Sequence, residues 1–121
     1  MRTTVLLVAL LALACPAAAD ERQATLESSL RYLRSVDEVA WVKFQRNSVF
    51  VGLRERPLDL RLLASAAATS GNIAMGFSCH VYFFDSSQSP TAMTDGSGAF
   101  CSASSRGGNI TRNTCPGSVM R

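Results

Sequence analysis

The chain has 121 residues, of which 47% are hydrophobic and 17% charged, with a formal net charge of +3 at neutral pH. That length supports one small domain around one core. The charge is too mild and too scattered for nucleic acid, whose binders carry a basic stripe.

Arg2 gives a short positive start, Val5 to Ala14 are unbroken apolar, and Ala17 and Ala19 form an A-x-A site before Asp20. This is the layout of a secretory signal peptide over residues 1–19, with an apolar run too short for a permanent membrane span. No second long apolar run follows, so no transmembrane segment is expected. Cys15, after Ala14, offers a lipid anchor as the competing reading. Leu13 is bulky where a lipoprotein signal has a small residue, and Cys15 is expected to leave with the leader. The expected location is periplasmic or secreted, with anchoring through Cys15 as the minor alternative. Loss of Arg2 with the leader brings the net charge to about +2.

From Asp20 to Ser35, Leu26, Leu30 and Leu33 recur at helical spacing, with acids at the start and arginines toward the end. This predicts an amphipathic helix. "VAWVKFQ" and "SVFVGL" then predict a β-hairpin turning at Arg46-Asn47, where Asn tolerates a positive φ. With the turn there, Phe44 faces Val49, Val42 faces Val51 and Ala40 faces Leu53, which makes one side of the hairpin wholly apolar. The other side carries Trp41, Lys43, Gln45, Ser48, Phe50 and Gly52. A slip of one residue would mix the two sets, so the pattern specifies the register.

Pro57 suits the first turn of a second helix through "LDLRLLASAAATSG". Leu58, Leu62 and Ala66 share a face with Leu63 and Ala67, and Gly71 or Asn72 is the expected stop. Ile73 to Phe84 reads as a third strand, rich in β-branched and aromatic residues. From Asp85 small polar residues, Gly and Pro dominate. This predicts an irregular tail with short strands near Gly98 to Ser102 and Asn109 to Thr111.

Three cysteines remain once the leader is gone: Cys79, Cys101 and Cys115. An exported chain sits in an oxidising compartment, so one disulfide and one thiol are expected. Cys101 and Cys115 bracket a Gly- and Ser-rich stretch, and closing a loop of about 15 residues is worth roughly 3 kcal/mol. They are the favoured pair, with Cys79–Cys101 as the rival.

Cys79-His80, inside "IAMGFSCHVYFF", comes nearest to a reactive pair. Alternate strand side chains face opposite ways, so Phe77, Cys79, Val81 and Phe83 point together and Ser78, His80, Tyr82 and Phe84 point apart from them. A Cys–His nucleophile needs both side chains within hydrogen-bond reach, which adjacent strand positions do not give. Cys79 is expected to be a core thiol. One histidine and no C-x-x-C make no zinc site, and no metal or other cofactor is expected. "TDGSGAF", from Thr94 to Phe100, matches neither a nucleophile elbow nor a calcium loop and reads as a turn. Asn109-Ile110-Thr111 is a glycosylation sequon, relevant only in a eukaryotic source. Arg54, Arg56 and Arg61 form a modest basic cluster that reads as solvated surface.

If the helices cover the apolar side of the sheet, the other side gathers Trp41, Lys43, Phe50, His80, Tyr82 and Phe84. Such a surface is larger than a monomer usually leaves bare. Either it binds a partner or the tail folds across it; some 37 otherwise unstructured residues need something to pack on, which favours the tail.

The expected fold is a single α+β domain over residues 20–84, in the order helix-strand-strand-helix-strand. It has a three-stranded antiparallel/mixed sheet with two helices on one face, and a disulfide-stapled irregular tail, residues 85–121, packed on that core. This order of elements from Leu26 to Phe84 resembles the BON modules of bacterial cell envelopes. The resemblance is topological, carries over no residues, and implies phospholipid or envelope binding. The function expected is non-enzymatic binding through the aromatic face, with an unknown protein or envelope component as partner. One alternative is an inhibitor or immunity-type protein against a secreted hydrolase, plugging a cleft with the Cys101 to Cys115 loop. The other is a small enzyme or redox protein using Cys79 or His80. Nothing in the sequence sets the oligomeric state.

Overall fold

A computed structural model describes residues 21–89 and 96–117. The expected leader, Cys15, and the Thr94 and Asp95 end of "TDGSGAF" lie outside the described residues. Helix α1 covers residues 21–29 and continues into a 3-10 turn at Arg31–Ser35. Its buried side is Leu26, Leu30 and Leu33, the three positions whose spacing predicts a helix.

Strands β1 (Val39–Gln45) and β2 (Ser48–Leu53) form the hairpin, with Phe44 opposite Val49, Val42 opposite Val51 and Lys43 opposite Phe50. Two details differ from expectation. A bulge between Val39 and Trp41 puts Val39, not Ala40, opposite Leu53, because one extra residue in β1 shifts the pairing beyond it. At the turn, Arg46 takes the positive φ, 56°. Asn47 instead uses its side-chain amide to donate to the Ser78 carbonyl at 2.9 Å, fastening the turn to the start of the third strand.

Helix α2 (Leu60–Met75) begins at Asp59, whose carboxylate accepts from the Leu62 N–H at 3.3 Å, and ends at Gly76 with φ 76°. It therefore runs through Gly71 and Asn72, which the sequence marks as a stop. Gly71 answers a packing need instead: a Cβ there would stand 2.6 Å from Cys79 Sγ and 2.8 Å from Leu26 Cδ1. The buried face of α2 is Leu60, Ala64, Ala67, Ala68 and Gly71, while Leu58, Leu62 and Ala66 are exposed. The expected face is thus replaced by one of smaller residues, which lets the helix lie close on the sheet.

Strand β3 is Cys79–Asp85, shorter than the Ile73 to Phe84 run, whose first residues finish α2. Phe77 precedes the strand and is exposed, so it does not join Cys79, Val81 and Phe83 inside. The tail supplies β4 (Cys101–Arg106) and β5 (Asn109–Asn113), joined by Gly107 and Gly108 at φ 61° and 81°. Short strands are expected near both places; the departure is that β4 runs on to Arg106 and that both join the sheet. The result is one five-stranded mixed sheet in the order β1-β2-β3-β4-β5, not a three-stranded one. Only β2 and β3 run parallel, as a crossover through α2 requires. "CSASSR" has little strand propensity of its own. Its pairing with β3 on one side and β5 on the other holds it, together with the Cys101–Cys115 disulfide.

Both helices lie against one side of the sheet, over Val49, Val51, Cys79, Val81, Phe83 and Ala103. Asn72, with Ser105 beside it, is a polar member of this interior. Its Nδ2 donates to the Phe77 carbonyl at 2.7 Å, and its Oδ1 accepts from Ser105 Oγ at 3.1 Å and the Gly108 N–H at 2.7 Å. One side chain thereby ties the end of α2, the approach to β3 and the β4–β5 turn together.

Candidate functional site

Pairing across β1, β2 and β3 brings Trp41, Lys43, Phe50, His80, Tyr82 and Phe84 to the side of the sheet away from the helices. They form a continuous cluster. Phe50 lies 5.7 Å from Tyr82 and 5.9 Å from Phe84, ring centre to ring centre. Trp41 stacks on Phe84 at 6.1 Å and His80 on Tyr82 at 6.4 Å. Lys43 Nζ stands 5.9 Å from the Phe50 ring centre, where an ammonium meets the ring's negative face. The expected residues are gathered, but they are not equally available.

Phe50 and Phe84 are 1% and 0% exposed, so they are interior residues. Trp41, Lys43, His80 and Tyr82 are half-buried. Two glycines before β4 do part of the covering. Gly96 sits against the Tyr82 ring so closely that a Cβ would overlap it, and a Cβ on Gly98 would stand 3.7 Å from Phe84 Cε2. The Trp41 indole lies flat over Gly52, across the strand pair, where a side chain would overlap the ring. This leaves Trp41 Nε1 buried without a hydrogen bond, at a cost of about 1–3 kcal/mol that burial of the ring must offset.

The face therefore has two halves. At one end Trp41, Gly52 and Phe84 are packed shut. At the other, Gln45, Arg46, Asn47, Ser48, Phe50, Tyr82 and Gly96 line an open pocket of about 250 Å³ with an aromatic floor and an amide and guanidinium rim. His80, opposite Ser48 on β2, shares a hydrogen bond of 2.7 Å between its Nδ1 and Ser104 Oγ on β4. Gln45 and Ser48 follow from the alternation that defines this face. The contributions of Arg46, Asn47 and Gly96 do not: two read as a turn and the third as part of a loop, and only the fold brings them to Tyr82.

Cys79 and His80 point to opposite sides of the sheet. Cys79 is fully buried in the helix-side core, where burial pushes its thiol up to about 12. Cys101 and Cys115 form the disulfide and Cys79 is the free thiol. Among the described residues no group of three or more His, Cys, Asp or Glu could hold a metal ion. The arginines of the basic cluster have structural partners rather than merely solvated heads. Arg54 donates to the Asp37 and Val39 carbonyls at 2.7 and 2.8 Å, Arg56 lies 4.1 Å over Phe100, and Arg61 Nη1 donates to the Cys115 carbonyl at 3.4 Å.

No family model, curated protein or solved structure matches the chain.

Proposed function

We propose that the protein is exported and acts by binding, without catalysis, through the open half of the aromatic face. The observation that carries this reading is the pocket between the β1–β2 turn and Tyr82: an aromatic floor rimmed by Gln45, Arg46 and Asn47, beside a half-buried His80. The Cys101–Cys115 disulfide is compatible with an extracellular or periplasmic protein. Among the described residues no helix is long and apolar enough to cross a membrane.

The alternatives draw less support. A redox or nucleophilic role for Cys79 has against it a buried thiol held protonated and a histidine on the other side of the sheet. A cleft-plugging loop between Cys101 and Cys115 has against it that this segment is a strand pair whose turn is tied down by Asn72.

Trp41 is the chain's only tryptophan, and its stack on Phe84 makes its emission a reporter for this face. Peptidoglycan fragments and phosphatidylglycerol vesicles are the probes to titrate. A ligand of the face shifts Trp41 emission, and Tyr82→Ala weakens its binding about tenfold or more, as loss of an aromatic anchor does. Binding that leaves the emission unchanged and survives Tyr82→Ala would remove the aromatic face from the account.

A further inference from the structure

Helix α2 is apolar on both sides. One side is the buried face described above. On the diametrically opposite side Leu62, Ala66, Thr69 and Ile73 form a stripe at spacings of four, three and four residues, with Leu62 63% and Ile73 68% exposed. Leu58, 90% exposed, precedes the helix, and Phe77, 45% exposed, follows it. The only charged residue between Leu60 and Met75 is Arg61. A helix apolar all round is ordinarily covered all round. Among the described residues Leu62 and Ile73 stay uncovered, while the Arg22 guanidinium lies 3.9 Å over the Phe77 ring.

The stripe is also self-complementary. Counted from the midpoint between Ala67 and Ala68, Leu62 and Ile73 are equidistant along the helix, as are Ala66 and Thr69, and Leu58 and Phe77 flank its two ends. We propose that the outer face of α2 is an isologous dimer interface, in which α2 packs antiparallel against α2 of a second copy about a two-fold axis at that midpoint. Leu62 of each copy then meets Ile73 of the other, Ala66 and Thr69 meet at the centre, and Leu58 and Phe77 flank the contact. Such a contact is the closed, self-matching kind that two-fold dimers use. Small residues at the crossing let helix axes approach to about 8–10 Å. Arg61 falls opposite Ala74, and the two Arg61 side chains stand roughly 20 Å apart along the helix pair, so the two Arg61 charges do not meet.

The area is sufficient. At their exposures Leu58, Leu62, Ile73 and Phe77 present roughly 500 Å² per copy, hence about 1,000 Å² for the pair before flanking residues are added, where specific interfaces begin. A membrane surface is a poorer occupant, because helices lying on anionic lipid carry Lys and Arg along the polar border and α2 has only Arg61. The dimer leaves both aromatic faces pointing outward, so each pair presents two binding sites. The proposal does not depend on what those sites bind.

Sedimentation equilibrium of the purified protein, its N-terminus fixed by intact mass, is the test. The wild type should form a dimer in the micromolar range. Leu62→Glu, at an exposed position, should keep the thermal melt and raise the dissociation constant roughly a hundredfold, as loss of an interface hot spot does. The double variant Leu62→Glu with Ile73→Lys should restore the dimer, since each new carboxylate meets a new ammonium across the axis. A wild type that stays monomeric at millimolar concentration overturns the proposal. So does a dimer that ignores Leu62→Glu, or a double variant that remains monomeric. A monomeric wild type that binds phosphatidylglycerol vesicles and loses them on Leu62→Glu would assign the face to lipid instead.

Discussion

The two sides of the sheet are both interiors, built by different means. On the helix side the partners are whole elements: α1 and α2 lay leucines, alanines and Gly71 against Val49, Val51, Cys79, Val81 and Phe83. On the other side the interior is made of rings packed on one another, Trp41 on Phe84 and Phe50 between Phe84 and Tyr82, with Gly96 and Gly98 as the thin cover. A face covered by helices closes along its whole length. Among the described residues, the ring side is left with a pocket beside Gly96 and Tyr82.

Phe83 and Phe84 put this contrast on adjacent residues. Both are fully buried, the first on the helix side and the second on the aromatic side. Replacing either by Ala should cost about 3–5 kcal/mol in urea unfolding, the range for a buried Phe. A cost below about 1 kcal/mol for Phe84→Ala would mean that the glycine cover is not in place.

Next in size is Asn72→Ala, which leaves the Phe77 carbonyl, Ser105 hydroxyl and Gly108 N–H without their partner. Roughly 2–3 kcal/mol should be lost, the scale for stranding buried polar groups. Amide exchange should speed up most at the β4–β5 turn, since that turn depends on Asn72. Equal acceleration throughout the sheet would contradict the tie. Gly71→Ala, on the same helix, gains helix propensity but pushes a methyl into Cys79 and Leu26. A net loss of about 1–3 kcal/mol is expected from overpacking, and a gain would show that α2 sits farther from the sheet.

The smallest effect belongs to Cys79, over the first pH unit above the unfolded thiol's value. Its folded-state value, pushed to about 12 by burial, lies above the unfolded thiol's. The native state therefore keeps its proton when the unfolded state has lost it. The contribution is fully present below about pH 8.5 and declines by about 1.4 kcal/mol per pH unit from there toward 12. Subtracting the stability profile of Cys79→Ala from that of the wild type should isolate this slope. A flat difference would place the thiol in water.

The sequence makes legible what a polar–apolar contrast marks. β1 and β2 alternate cleanly, and the pairs Phe44–Val49 and Val42–Val51 follow; the bulge at Ala40 leaves no such mark. α2 has apolar residues on both sides, so periodicity alone cannot choose the buried one, and the larger leucines mislead. Gly71 and Asn72 carry the chemistry of a helix stop, but close packing and a buried hydrogen-bond hub use the same two residue types. β4 is legible only at its start, near Ser102, because pairing and a disulfide hold the rest. The aromatic face could be read from alternation on β1, β2 and β3. Its division into a shut half and an open half could not, because Gly96 and Arg46 reach Tyr82 only through the fold.

The central claim is that Cys79 belongs to the helix-side interior and His80 to the opposite face. Thiol alkylation with peptide mapping, before and after unfolding, tests it most directly. The account expects an oxidised Cys101–Cys115 pair and a single modification, at Cys79, that appears only once the protein unfolds. Rapid alkylation of Cys79 in the native protein, or a disulfide that includes it, would contradict that claim.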